Sequence, residues 1–259
     1  MLPFRSALLV TSVVGACSGS PSGVIGAPEQ ESPRPSLAGD VLFIGNSLTA
    51  ANDLPGMVES LADSAGEAPL TTAAVTLGGA ALEDHWAEGS ALRAIDRGGW
   101  RFVVLQQGPS SLPEGRVNLR EWTRRFAERI RAVGAEPALY TVWPPADRRA
   151  FFGDVIESYR LAADDVRGVV LPVGQAWLDA WTRDAGLALY GPDDFHPTVE
   201  GSYLAALVIY ARLSGRSPVG LPARFALPTG GLVEIAPRTA ALLQETAAHV
   251  VTDTLKSAK

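Results

Sequence analysis

From Val41 onward this chain alternates short, continuously apolar runs with stretches of helical period, and that alternation restricts the fold more than any other feature. Residues 41–45, 71–77, 102–106, 137–143 and 169–173 are runs of strand length. Between them, apolar residues recur every three or four positions. Met57, Val58, Leu61, Ala62 and Ala65 form one face of a helix over 53–65, stopped by Gly66. A helical stretch covers 83–97. Leu119, Trp122, Phe126, Ile130 and Val133 form the face of another helix, closed by Gly134, and a further helix is expected over 149–166. Thr198 is placed to cap a helix with Tyr203, Leu207, Tyr210 and Ala211 on one face and Gly215 beyond its end. A last helix covers 237–255. Apolar strands alternating with helices predict a parallel sheet covered on both faces: a three-layer α/β/α, flavodoxin-like domain of about five strands.

Groups with a function gather at the C-terminal ends of the strands in such a fold. Ser47 stands just past the first run, Gly78 and Gly79 past the second, Gln106, Gln107 and Gly108 past the third, and Trp143 past the fourth. Four loops are therefore expected to open on one edge of the sheet.

The N-terminus reads as a targeting segment. Arg5 precedes an apolar stretch from Ala7 to Ala16, too short to span a bilayer, that ends in Val14-Gly15-Ala16-Cys17. This resembles a bacterial lipobox, in which the cysteine is lipidated and becomes the first residue of the mature chain. Residues 1–16 are then a signal peptide. Residues 17–39, rich in Ser, Gly and Pro, form the lipidated terminus and a flexible tether, and the domain occupies 40–259. The expected location is extracytoplasmic, held to a membrane through the N-terminal lipid alone. Cys17 is the only cysteine, so no intrachain disulfide can form. The net charge of −6 argues against a nucleic-acid partner, which needs clustered cations. Arg124, Arg125, Arg129 and Arg131 share a segment with Glu121 and Glu128 and read as a solvated helix face.

The chemistry lies in two short motifs about 150 residues apart: Gly45-Asn46-Ser47-Leu48, and Asp193-Asp194-Phe195-His196-Pro197. Alone, Ser47 could be a turn or cap residue. His196 shifts the balance. It stands in a Gly-Pro-Asp-Asp turn, poorly suited to a structural histidine, with a carboxylate three positions earlier. Asp193 has the spacing to hold one ring nitrogen, which leaves the other free to accept a proton from a hydroxyl. Asp194 lacks that spacing and reads as a turn or solvent residue. Hydroxyl, imidazole and carboxylate are the components of a nucleophilic triad.

These blocks resemble those of the SGNH hydrolases, the GDSL esterase/lipase superfamily. Gly45-Asn46-Ser47-Leu48 matches the first block, where Gly-Asp-Ser is commoner, and Asp193-x-x-His196 matches the last. Val75-Thr-Leu-Gly-Gly79 fits the second block, whose glycine donates a backbone N–H to the oxyanion. The resemblance runs from 41 to about 213, and its ordering is similar to that of a poorly characterised bacterial branch. It implies a serine ester hydrolase acting on small esters, with O-acetyl groups on carbohydrates a natural substrate, and it implies no cofactor. The third block departs from the pattern. Where the superfamily has Gly-x-Asn-Asp, this chain has Gln106-Gln107-Gly108-Pro109-Ser110. Aligned on Gly108, the asparagine position is Ser110. An amide of Gln106 or Gln107 is expected to supply the missing donor beside the N–H groups of Ser47 and Gly79.

Trp143, His85 and Asn46 are candidates for substrate contact: Trp143 for stacking on a sugar ring, His85 for lining the pocket near the second block. A metal site at Glu83-Asp84-His85 is not expected, because three consecutive side chains on a helix point different ways. His249 reads as a surface or packing residue. There is no Gly-x-Ser-x-Gly elbow, no Gly-x-Gly-x-x-Gly after a strand and no Walker loop. Two alternatives remain at this level: a non-catalytic protein on the same fold that binds a glycan or envelope ligand, and an O-acyltransferase using the same triad.

Overall fold

The computed structural model describes residues 40–66 and 70–257. The expected signal peptide, Cys17 and the tether lie outside the described residues. Five parallel strands, β1 (Asp40–Gly45), β2 (Thr72–Thr76), β3 (Trp100–Leu105), β4 (Glu136–Tyr140) and β5 (Val169–Leu171), form one sheet in the order β2-β1-β3-β4-β5. The helices are α1 (Ser47–Ala50), α2 (Leu54–Ser64), α3 (Leu82–Glu88), α4 (Ser90–Asp96), α5 (Pro113–Ala132), α6 (Phe152–Val166), α7 (Val173–Arg183), α8 (Val199–Ser214) and α9 (Pro237–Ser257). They cover both faces of the sheet, with α3 to α6 in one layer and α2, α7 and α9 packed around α8 in the other. This is the three-layer α/β/α architecture expected from the alternation.

The core follows from the pattern of the strands. Val41, Leu42, Phe43 and Ile44 are all fully buried, as a strand sandwiched between two helical layers requires. Each contributes roughly 1.5–3 kcal/mol by leaving water. The register sets Gly45 of β1 opposite Thr76 of β2, and Ile44 opposite Leu105 of β3. From β1 the chain passes outward to β2 and then crosses back to β3, so a crevice opens between the C-terminal ends of β1 and β3.

The structure corrects several details. The stretch 83–97 is two helices, because Gly89 adopts φ 86° and ends α3 while starting α4. The face foreseen on α8 is instead a helix buried nearly all round, since it lies between α2, α9 and the sheet. Its caps are as expected: Thr198 Oγ1 accepts from the Gly201 N–H at 3.1 Å, and Gly215 ends it at φ 71°. A hairpin of β6 (Arg224–Ala226) and β7 (Leu232–Glu234) was not legible in the sequence. Each strand has three residues and only Phe225 and Val233 are buried, too little for a periodic signal. Among the described residues no helix is long and apolar enough to cross a membrane.

Candidate active site

β1 delivers the chain into a tight turn, Gly45-Asn46-Ser47, and α1 starts at Ser47. Asn46 caps that helix: its Oδ1 accepts from the Leu48 N–H at 3.1 Å. The helix is only four residues long and leads into a 3-10 turn, Ala51–Asp53. The late motif is a closed loop. Tyr190 and Pro197 form an isolated antiparallel bridge, and the Gly191 N–H donates to His196 O at 2.7 Å. Within it, Asp193 Oδ1 accepts from the N–H groups of Phe195 (3.2 Å) and His196 (2.9 Å). Those bonds orient the carboxylate, whose Oδ2 lies 2.5 Å from His196 Nδ1.

The two motifs meet. His196 Nε2 is 2.8 Å from Ser47 Oγ, although 149 positions separate the residues. The His196 ring and its backbone N–H, in that order, hold the Asp193 carboxyl down at about 2, so it is an anion at neutral pH and can only accept. His196 Nδ1 therefore carries the ring proton, and Nε2 presents its lone pair to the serine hydroxyl. The dyad is open to solvent: the side chains of His196 and Asp193 are 40% and 53% exposed.

The glycine loop lies alongside. The Leu77 N–H donates to Gly45 O at 3.1 Å, which ties the end of β2 to the Gly45–Ser47 turn. Gly79 adopts φ 70°, a conformation that suits glycine, and both Gly78 and Gly79 face open space where a Cβ would stand. The N–H groups of Ser47 and Gly79 make no hydrogen bond to described residues, so both are free to donate.

Neither glutamine amide is free in the same way, and here the sequence expectation is corrected. Gln106 Oε1 accepts from the Asn46 N–H at 2.8 Å, which fixes the orientation of the amide, and both Nε2 hydrogens are committed to Asn46 Oδ1 (3.0 Å) and Gln107 O (2.6 Å). Gln107 Oε1 accepts from the Leu82 N–H at 3.0 Å, and its Nε2 donates to Ser110 Oγ (2.9 Å) and Asn118 Oδ1 (3.4 Å). Ser110 Oγ in turn donates to Gly108 O at 3.1 Å. Buried polar groups must find partners, and these found them inside the loop network before any substrate.

The three residues expected to touch substrate do not line the site. Trp143 is fully buried, stacked on Trp177 with ring centroids 3.6 Å apart, and its Nε1 donates to Phe195 O at 2.9 Å. It supports the histidine loop from beneath. His85 is fully buried, with Nε2 2.9 Å from Gly45 O and Nδ1 unpaired. Burial lowers its pKa against the opposing pull of the Gly45 carbonyl, Asp84 and Glu88. Asn46 is nearly buried and its Nδ2 donates to Ala80 O at 3.1 Å. All three hold the scaffold of the site.

One residue was missed. Asn52, at φ 54°, donates from Nδ2 to Pro197 O (3.1 Å), Thr198 O (3.1 Å) and Ser202 Oγ (2.9 Å), linking the segment after Ser47 to the His196 loop. An Asn-Asp pair after a short helix signals a left-handed turn, but not what the amide reaches. Among the described residues no cluster of three or more His, Cys, Asp or Glu side chains can hold a metal ion.

No protein-family model and no curated sequence matches the chain. Solved structures do. A DUF4886 family protein from Bacteroides uniformis aligns with TM-score 0.65 and 18% identity, over 82% of this chain and 94% of that one. A protein described as an SGNH hydrolase, from Slackia heliotrinireducens, aligns with TM-score 0.55 and 29% identity, over 67% of this chain and 98% of that one. A lipase/acylhydrolase from Enterococcus faecalis aligns with TM-score 0.56 and 15% identity, over 68% and 96%.

Proposed function

We propose that this chain, which has the fold of the SGNH hydrolases, is a serine esterase that releases small acyl groups, O-acetyl groups on carbohydrates in particular. The observation that carries the reading is the contact of His196 Nε2 with Ser47 Oγ at 2.8 Å, with Asp193 on the opposite ring nitrogen. The order of events follows from that geometry. Ser47 Oγ attacks the ester carbonyl carbon while its proton passes to His196 Nε2. The carbonyl π pair moves onto oxygen, where the Ser47 and Gly79 N–H groups receive it. As the tetrahedral species collapses, the carbon–oxygen bond to the alcohol breaks and His196 protonates the departing oxygen. Water then attacks the acyl-enzyme, yields its proton to His196, and Ser47 leaves with that proton as the free acid is released. Asp193 stays ionised throughout and stabilises the imidazolium.

Solvent access supports the substrate class. With His196 and Asp193 at the surface and open space over Gly78 and Gly79, an ester projecting from a bulky body can reach Ser47. The lipobox-like Val14-Gly15-Ala16-Cys17 supports a lipid-anchored, extracytoplasmic setting where such polymers occur. The test is hydrolysis of aryl acetate, butyrate and octanoate beside acetylated xylan by wild type and Ser47→Ala. Preference for acetate and release of acetate from the polymer, both lost in Ser47→Ala, are expected. Turnover that persists in Ser47→Ala contradicts the scheme. Acylated product on added acceptor sugar would mark a transferase, and inertness with retained glycan binding would mark a binding protein.

A further inference from the structure

Gln106 stands one residue beyond β3, and its backbone N–H continues the ladder by donating to Ile44 O at 2.9 Å. Its side chain is fully buried and completely bonded. Oε1 accepts from the Asn46 N–H (2.8 Å) and from Thr49 Oγ1 (2.7 Å), while Nε2 donates to Asn46 Oδ1 (3.0 Å) and Gln107 O (2.6 Å). One amide thus grips Asn46 by backbone and side chain together, immediately before the nucleophile. Asn46 carries the constraint onward. Its Oδ1 also accepts from the Leu48 N–H, and its Nδ2 donates to Ala80 O, the residue after Gly79. The approach depends on the glycine at 45: a Cβ there would collide with Gln106 Oε1 and Thr49 Oγ1.

We propose that Gln106 is a positioning residue: it fixes the Gly45–Ser47 turn and, through Asn46 and Ala80, the glycine loop, so that the Ser47 and Gly79 N–H groups converge on one oxyanion. The inference rests on the esterase reading above. The amide at the third strand end does not donate to the substrate. It orders two backbone donors that do. A buried amide with every donor and acceptor used is costly to disturb, because removing one partner leaves the others unpaired. Donors held in place before the reaction need no reorganisation as charge develops, which is where such a clamp acts. It touches no substrate, so its loss falls on the transition state and spares ground-state binding.

Steady-state kinetics with a short-chain aryl acetate separate the possibilities, on wild type, Ser47→Ala, Gln106→Ala, Thr49→Val and Asn46→Asp, all confirmed folded by thermal melting and assayed well below their transitions. Gln106→Ala is expected to lower kcat on the order of a hundredfold with KM within about threefold. Asn46→Asp keeps the acceptor for Leu48 and Gln106 but loses the donor to Ala80, and a fall in kcat of about tenfold is expected. Combining the two should cost less than the product of the single effects, because both act through one network. If Gln106→Ala does not fold, Thr49→Val, which removes a single partner, takes its place and is expected to lower kcat about threefold at unchanged KM. Serine-dependent turnover in wild type with kcat unchanged in the folded clamp variants, or a loss confined to KM, overturns the clamp alone. Wild type without serine-dependent turnover overturns the esterase reading and the clamp with it.

Discussion

Asn52 Nδ2 donates to the carbonyl of Pro197 at 3.1 Å, which fastens the segment after Ser47 to the residue after His196. The same amide reaches Thr198 O and Ser202 Oγ. A side chain that belongs to neither motif is therefore one of the links that hold Ser47 and His196 together. Asn52→Gly keeps a backbone that tolerates φ 54° and removes the link. Ester turnover should drop by about tenfold or more, as expected when reacting groups lose fixed separation, and melting should show a loss of about 1–3 kcal/mol from the vacated acceptors.

Trp143 acts on the same loop from below. Trp143→Phe retains an aromatic face for Trp177 but loses the donor to Phe195 O. Turnover is expected to fall while the fold survives. Trp143→Ala, by contrast, should cost about 3–5 kcal/mol through the cavity it opens. Denaturant titrations beside kinetics distinguish the two: equal stability loss in both variants would contradict the cavity cost, and unchanged turnover in Trp143→Phe would contradict the role of the bond to Phe195 O.

Asp193 and Asp194 are adjacent, yet only Asp193 meets the imidazole. Asp193→Asn should reduce kcat by about 10³–10⁴ through loss of the oriented, charge-stabilised ring. Asp194 sits at φ 57°, which asparagine accepts, and Asp194→Asn should change turnover by no more than about twofold. Because the Asp193 carboxyl lies near 2, below its ordinary value, its support for the loop is present above about pH 4 and fades as pH falls toward 2.

Buried His85 gives a second, separate pH effect. Burial holds its folded-state pKa below the ordinary imidazole value of about 6.5. The unfolded chain therefore binds a proton that the folded chain refuses, and stability is lost as pH falls from about 6.5. The melting temperature of wild type should decline between about pH 7 and pH 5 more steeply than that of His85→Gln. Parallel curves would contradict the assignment of that slope to His85.

The elements that sequence made legible share one property: their signal is local. Val41–Gly45 is apolar because both its faces are covered, Thr198 and Gly215 cap α8 within a few positions, and Asp193 meets His196 inside a single turn. What stayed hidden depends on neighbours distant in the chain. Trp143 follows the fourth strand and His85 lies in the first turns of the helical stretch after the second, places where solvent contact was reasonable, but Trp177 packs on the one and Gly45 O holds the other. The glutamines carry the right donor for an oxyanion. Only the fold reveals that Asn46, Leu82 and Ser110 use their hydrogen-bonding capacity first. Asn52 is the sharpest case, since its partners lie some 145 positions away.

In the proposed reaction His196 makes Ser47 a nucleophile. Intact-mass analysis after treatment with a fluorophosphonate measures this directly, with peptide mapping to locate the adduct. One adduct on Ser47 in wild type, absent from Ser47→Ala and strongly reduced in His196→Ala, is the predicted result. A wild-type serine that stays unmodified under conditions that label a known serine hydrolase, or labelling indifferent to His196, would rule out the proposed reaction.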